Sequence, residues 1–261
     1  MSASDPILVE RDGAVATVIL NNPSRRNALG LDAWRQLGDV MIALDDDTDL
    51  RCVVIRGAGD AAFAAGADIA EFPELRTNAA QAYAYGVVVE KALAALLNCR
   101  HPVVAMIQGA CTGGGLEVAA CCDMRIAASS SRFGVPIKRI GHAFAAAEMR
   151  PVIDLIGKAL VLELLLEGRV FDAEEALAKG LVNRLVDDAD LEAEIAATVA
   201  RITEGAPLAA RATKRLATRM AAGEAITAAD VLEAYAVCDS DDYAEGVRAF
   251  IEKRKPDFKG R

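Results

Sequence analysis

The stretch Gln108-Gly109-Ala110-Cys111-Thr112-Gly113-Gly114-Gly115-Leu116-Glu117 combines bare backbone with a carboxylate. Three consecutive glycines leave their N–H groups unscreened. A helix starting behind them would add the positive end of its dipole, so this turn suits a developing negative charge. Glu117 is followed by Val118, Ala119, Ala120, Cys121 and Cys122, and a carboxyl buried among such neighbours is pushed up toward the range that general acid–base chemistry needs. Taken alone, the same glutamate fits a solvated helix face. A second stretch, Ala61-Ala62-Phe63-Ala64-Ala65-Gly66-Ala67-Asp68-Ile69, would let a ligand approach the backbone and receive N–H donors near a helix start, or would serve only as a close-packed turn. The glycine run is not a nucleotide phosphate loop, because no Lys follows it, and its spacing departs from G-x-G-x-x-G. A dehydrogenase would also need an acidic residue about 20 positions on. Asp123 comes too early for that, and residues 133–137 offer none.

Both stretches must be held by strand-to-helix transitions. Residues 7–10 and 14–20 read as two strands around the turn dipeptide Asp12-Gly13, and helical spacing over 31–44 leads to a buried-strand run at 52–55. A small-residue loop at 57–66, a helix over 78–97, a break at His101-Pro102 and a strand at 103–107 follow. The glycine turn then opens a helix at Leu116, with further strands at 124–127 and 181–182, the latter after a helix over 173–179 stopped by Gly180. Alternating strands and helices call for an α/β layout with parallel pairing. Beyond Leu191 only helices are expected, over 191–203, 207–220, 227–238 and 243–252.

Together with Asn22-Pro23-Ser24-Arg25-Arg26-Asn27-Ala28-Leu29, Cys122-Asp123-Met124-Arg125-Ile126-Ala127, Phe133-Gly134 and Phe250-Ile251-Glu252-Lys253-Arg254-Lys255-Pro256-Asp257-Phe258, these stretches make the sequence resemble the enoyl-CoA hydratase/isomerase (crotonase) family over nearly its whole length. The resemblance implies a crotonase-like spiral of ββα units over residues 1–195. A C-terminal helical region over 196–261 would help to build a homotrimer or a dimer of trimers. It implies an acyl-CoA substrate, coenzyme A as part of that substrate and no permanently bound cofactor. The backbone N–H groups of Ala67 and Gly114 would form an oxyanion hole for the thioester oxygen, each donor contributing about 3–4 kcal/mol. Ala65, Ala67, Asp68 and Ile69 match the family's coenzyme A loop, with Arg25, Arg26, Ala28 and Leu29 beside pantetheine and phosphates. Phe250, Lys253 and Phe258 match positions that approach the nucleotide from an adjacent subunit, although the Lys253-Arg254-Lys255 run equally suits a solvated surface.

Glu117 matches the first of the two catalytic glutamates of the family's hydratases. The second would follow Phe133-Gly134-Val135-Pro136, where this sequence has Ile137. That replacement removes an acceptor and dries one wall of the site. His142 and Glu148, in the altered stretch after Ile140, are the candidate replacements, neither at a position that the resemblance assigns. A lone histidine without an orienting partner favours a structural role.

The remaining composition narrows the classes. A net charge of −9 and a pI near 4.9 argue against a nucleic-acid surface. Cys52, Cys99, Cys111, Cys121, Cys122 and Cys238 show no metal-ligand spacing and read as free thiols of a reducing compartment. With only His101 and His142, no metal site is expected. No signal peptide and no membrane span is read, so the expected location is cytoplasmic. Three readings remain: an enoyl-CoA hydratase using Glu117; an isomerase, decarboxylase or thioester hydrolase on the same enolate chemistry; and a non-catalytic acyl-CoA-binding scaffold.

Overall fold

The computed structural model describes residues 5–261. A hairpin opens it, β1 (Ile7–Asp12) and β2 (Val15–Leu20), turning through Gly13 at φ +53°. Helix α1 (Leu31–Asp46) then crosses over to β3 (Cys52–Gly57), which pairs in parallel with β2. Next come the three-residue strand β4 (Ala62–Ala64), a single turn α2 (Phe72–Leu75) and α3 (Ala79–Asn98). The pattern repeats as β5 (Val103–Ile107), β6 (Ala110–Thr112) and α4 (Gly114–Cys121). It repeats again as β7 (Met124–Ala128), β8 (Arg132–Gly134) and α5 (Ala146–Leu162). The last strands are β9 (Val170–Asp172) and β10 (Arg184–Val186), separated by α6 (Ala173–Ala178). The sequence places the final strand at 181–182; Leu181 and Val182 are instead buried core residues leading into β10. They are apolar because they are enclosed, not because they pair.

Each repeat gives its longer strand to a six-stranded sheet, ordered β1-β2-β3-β5-β7-β10, and its shorter one to a four-stranded sheet, β4-β6-β8-β9. This is a spiral of ββα units. On β3, Val53 and Ile55 face the principal core while Cys52 and Val54 face a second cluster under the C-terminal helices. A strand covered on both faces reads as an unbroken apolar run. The short strands β4, β6 and β8 carry no such signal, and sequence periodicity does not separate them from loop.

Helices α7 (Leu191–Thr203), α8 (Pro207–Ala221), α9 (Ala228–Ala236) and α10 (Asp241–Glu252) complete the chain. Leu191 and Ile195 of α7 pack on the large sheet. From α8, Lys214 pairs with Asp123 at 2.7 Å and Arg211 donates to the Thr48 carbonyl. Leu232, Tyr235, Phe250 and Ile251 lie open on α9 and α10.

Candidate active site

Strand register brings the two small-residue turns together. β4 runs parallel to β6 with Ala64 opposite Cys111, so both chains leave the sheet side by side, and three residues beyond the paired positions stand Ala67 and Gly114. A Cβ built on Gly114 would lie 3.6 Å from the Ala67 nitrogen and 2.8 Å from Trp34 Cζ2, so a side chain there would collide with the indole. Gly113, at φ +51° and ψ −124°, holds a conformation that a Cβ opposes. The Ala67 and Gly114 N–H groups donate to no acceptor among the described residues. The turn is braced from outside: Leu29 N donates to Gly66 O (2.8 Å), Asp68 N to Leu29 O (2.9 Å) and Ala65 N to Arg26 O (2.9 Å). Asn27, buried, anchors the bracing segment by donating to the Ala62 carbonyl at 2.7 Å.

These turns border a cavity of about 120 Å³ whose walls include Trp34, Phe72, Arg76, Tyr85, Ile137, His142, Glu117 and Glu148. Glu117 sits in the first turn of α4, every residue of which is buried; at 6% exposure it is not on a solvated face. Burial pushes its carboxyl well up, and the neighbouring Glu148 charge adds to the rise while Arg76 opposes it. Glu148, in the first turn of α5 and 8% exposed, is also pushed up by burial. Its rise is held back by the Ala145 N–H, which donates to Oε2 at 3.1 Å, and by Arg76. The replacement of the family's second glutamate by Ile137 therefore does not leave the cavity with one carboxyl. Ile137 is a partly buried wall residue packed on the core, and a second carboxyl enters from α5.

Segment 65–69 borders this cavity, and Arg25 and Arg26 contact that segment without lining the cavity themselves. Ala65, Ala67 and Ile69 line it, and Asp68 forms an ion pair with Arg25 at 2.6 Å. Arg26 is exposed and Ala28 half-buried, whereas the Leu29 side chain points into the core, leaving only its backbone at that surface. Phe250, Lys253 and Phe258 do not line the cavity within one chain. Phe250 is 87% exposed, Lys253 ends α10 at φ +55°, and the Phe258 carbonyl accepts from Arg51.

Comparison with known proteins agrees with this fold. A family model described as enoyl-CoA hydratase/isomerase matches residues 10–261. The chain belongs to the enoyl-CoA hydratase/isomerase family. A crotonyl-CoA hydratase from Syntrophomonas wolfei is 33% identical over 98% of each chain. A probable enoyl-CoA hydratase from Mycobacterium bovis is 36% identical over 98% of this chain and 99% of its own. The crystal structure of an enoyl-CoA hydratase/carnithine racemase from Magnetospirillum magneticum superposes with a TM-score of 0.96 at 48% identity, covering 99% of this chain and 97% of that one. The spiral expected from the family resemblance is thus the observed fold.

Several family-cavity residues escaped the sequence reading. Trp34, Tyr85 and Val89 lie on α1 and α3 among apolar residues at helical spacing, which signals core and nothing more. Arg76 follows the four-residue α2, too short to show any period. His142, a candidate replacement for which a lone imidazole favours a structural role, does line the cavity, and its Nε2 meets Arg76 Nη2 there.

Proposed function

We propose that the protein is an enoyl-CoA hydratase that adds water across a 2-enoyl-CoA double bond. The observation that carries this reading is the pair of buried carboxyls, Glu117 and Glu148, in the cavity that the unpaired Ala67 and Gly114 N–H groups border. Two buried carboxyls cost folding free energy, and a scaffold that only bound acyl-CoA would gain nothing from them.

The thioester oxygen accepts hydrogen bonds from Ala67 and Gly114, which withdraws electrons from the β-carbon. Water then adds there, transferring a proton to a carboxylate while negative charge moves to the oxygen as an enolate. The second carboxyl, still protonated, delivers its proton to the α-carbon, and the enolate collapses to the 3-hydroxyacyl thioester. The chemistry needs one carboxylate and one carboxylic acid, and unequal environments supply such a pair. Glu148, receiving the Ala145 N–H, takes the carboxylate role; Glu117, without a hydrogen-bond donor of its own among the described residues and fully enclosed, takes the acid role.

On this reading Ala65, Ala67, Asp68 and Ile69, with Arg25, Arg26, Ala28 and Leu29, form the coenzyme A surface, and no cofactor is permanently bound. Phe250, Lys253 and Phe258 would complete it from a neighbouring copy in a homotrimer or dimer of trimers. The apolar side chains left open on α9 and α10 support such an assembly, with residues 196–261 as its main contact region. The working location is the cytoplasm. Incubating the purified protein with crotonyl-CoA and following 3-hydroxybutyryl-CoA by mass spectrometry tests the reaction. Consumption of a 3-enoyl-CoA or a malonyl-type thioester with crotonyl-CoA untouched would replace hydration by isomerisation or decarboxylation.

A further inference from the structure

Hydration as drawn above uses no cation, yet the cavity contains one. Arg76 lies across two rings, its guanidinium carbon 4.4 Å from the Phe72 centroid and 5.0 Å from that of Tyr85. The rings themselves meet edge to face at 6.1 Å. This stacking fixes the plane of the guanidinium and lowers its need for water. No Asp or Glu among the described residues comes within the 4.0 Å of an ion pair with it. Its side-chain partner is His142 Nε2. Arginine can only donate, so Nε2 accepts and the imidazole is neutral, which leaves the guanidinium charge uncancelled and most of its N–H fork unused. Beside it, the Tyr85 hydroxyl is buried without a hydrogen-bond partner, on a residue 3% exposed that lines the same cavity.

From this arrangement we propose that Arg76, with Tyr85 as a second donor, binds a carboxylate on the acyl group, so that the preferred substrates are mono-coenzyme A thioesters of dicarboxylic acids. A guanidinium fork matches a carboxylate in shape, hydrogen bonds and charge. A methyl-ended chain would instead set an uncompensated cation against apolar atoms, an outcome that binding sites with polar groups penalise. The two glutamates do not already fill this role. Neither reaches ion-pair distance of Arg76, so the guanidinium N–H groups keep no carboxylate partner among the described residues. The inference rests on the acyl-CoA reading of the cavity and narrows it to a substrate class.

Binding and turnover test it separately. Calorimetric titration of the full chain with succinyl-, glutaryl- and adipyl-CoA, against butyryl-, valeryl- and hexanoyl-CoA of matched length, should show at least one carboxylated thioester bound about 10- to 100-fold more tightly than its methyl-ended counterpart. Arg76→Gln should abolish that preference, and Arg76→Lys should retain part of it. Equal or weaker binding of the carboxylated member at all three lengths in the wild-type protein overturns the proposal. So does a preference that survives in a folded Arg76→Gln variant, with folding checked by its thermal midpoint. Should Arg76→Gln fail to fold, the wild-type comparison with Tyr85→Phe, expected to weaken the same preference severalfold, decides the matter. Hydration is scored independently with crotonyl-CoA and the 2-enoyl dicarboxylic analogue glutaconyl-CoA. Tight glutaryl-CoA binding without hydration of either substrate would sink the hydratase reading and leave the carboxylate subsite standing.

Discussion

Glu117 and Glu148 occupy the first turns of two different helices, α4 and α5, and face a single cavity. A helix N-terminus favours a carboxylate by about 0.3–1 kcal/mol, which by itself would lower both pKa values. Burial costs an ion several kcal/mol, and it wins: both carboxyls are held above their ordinary range. Helix dipole and Ala145 N–H thus moderate an effect that desolvation dominates.

Glu117→Gln keeps the shape of the side chain and removes its proton chemistry. Turnover of crotonyl-CoA should fall about 10²- to 10⁴-fold, while the affinity for butyryl-CoA changes less than about twofold. Steady-state kinetics combined with titration calorimetry checks both; unchanged turnover would take Glu117 out of the mechanism.

The same substitution has a signature in stability. The folded Glu117 carboxyl holds its proton to a higher pH than the unfolded chain, whose carboxyl titrates near 4.5. Between those values the folded state binds more protons, so its stability falls as pH rises through the window and then levels off. Glu117→Gln lacks this loss and should gain on the wild type as pH is raised from the unfolded value of 4.5 through neutrality. Urea unfolding midpoints across that range give the answer, and a gap independent of pH would contradict it.

For Glu148 the expected change is in the basic partner. Glu148→Gln should lower kcat/KM for hydration about 100-fold or more and erase the acidic limb of the pH profile, which reports the carboxylate form. The Ala145 N–H can still donate to the amide oxygen of the variant, so the stability cost should stay below about 1 kcal/mol. A variant with wild-type hydration would mean that Glu117 works alone.

Gly114→Ala puts a methyl 2.8 Å from Trp34 Cζ2 and beside the Ala67 nitrogen. The indole is buried and forms part of the cavity wall, so either the turn must shift or the indole must move into the cavity. Loss of one oxyanion donor's alignment should reduce kcat about 10²- to 10³-fold, with a stability loss of about 1–3 kcal/mol from overpacking. Kinetics on the folded fraction separates the two effects.

The Arg25–Asp68 pair stands beside the cavity-lining residues Ala67 and Ile69, with Arg25 55% exposed. Solvent screens it, so Arg25→Ala should change stability by less than about 1 kcal/mol. Were Arg25 to contact coenzyme A phosphate, KM for acyl-CoA would rise severalfold with kcat nearly unchanged, and more so at low salt. A KM independent of ionic strength in both proteins would argue against that contact.

Much of this protein is written in local pattern. The apolar runs at β3, β5 and β7, the helical spacing of α1 and α3, the Asp12-Gly13 hairpin and the glycines before Glu117 each depend on neighbours in sequence, where period and backbone freedom are visible. They are enough to expect an α/β layout with parallel pairing and to mark Glu117 behind its glycines, whereas the spiral and the pairing of residues 67 and 114 are implied only by the family resemblance. The three-residue strands β4, β6 and β8 stayed hidden because so short a pairing leaves no period. Yet it is the parallel register of β4 on β6 that sets Ala67 beside Gly114. Ile137 shows which carboxyl is missing, and His142 and Glu148 stand nearby in the chain as replacements, but chain position does not choose between them. Only packing α5 against α4 brings Glu148 to Glu117, and only the stacking of Phe72, Arg76 and Tyr85 turns two core-like aromatics and an unremarked arginine into a cavity wall. Such relationships arise between side chains far apart in the chain, and no periodicity encodes a contact that exists only after folding.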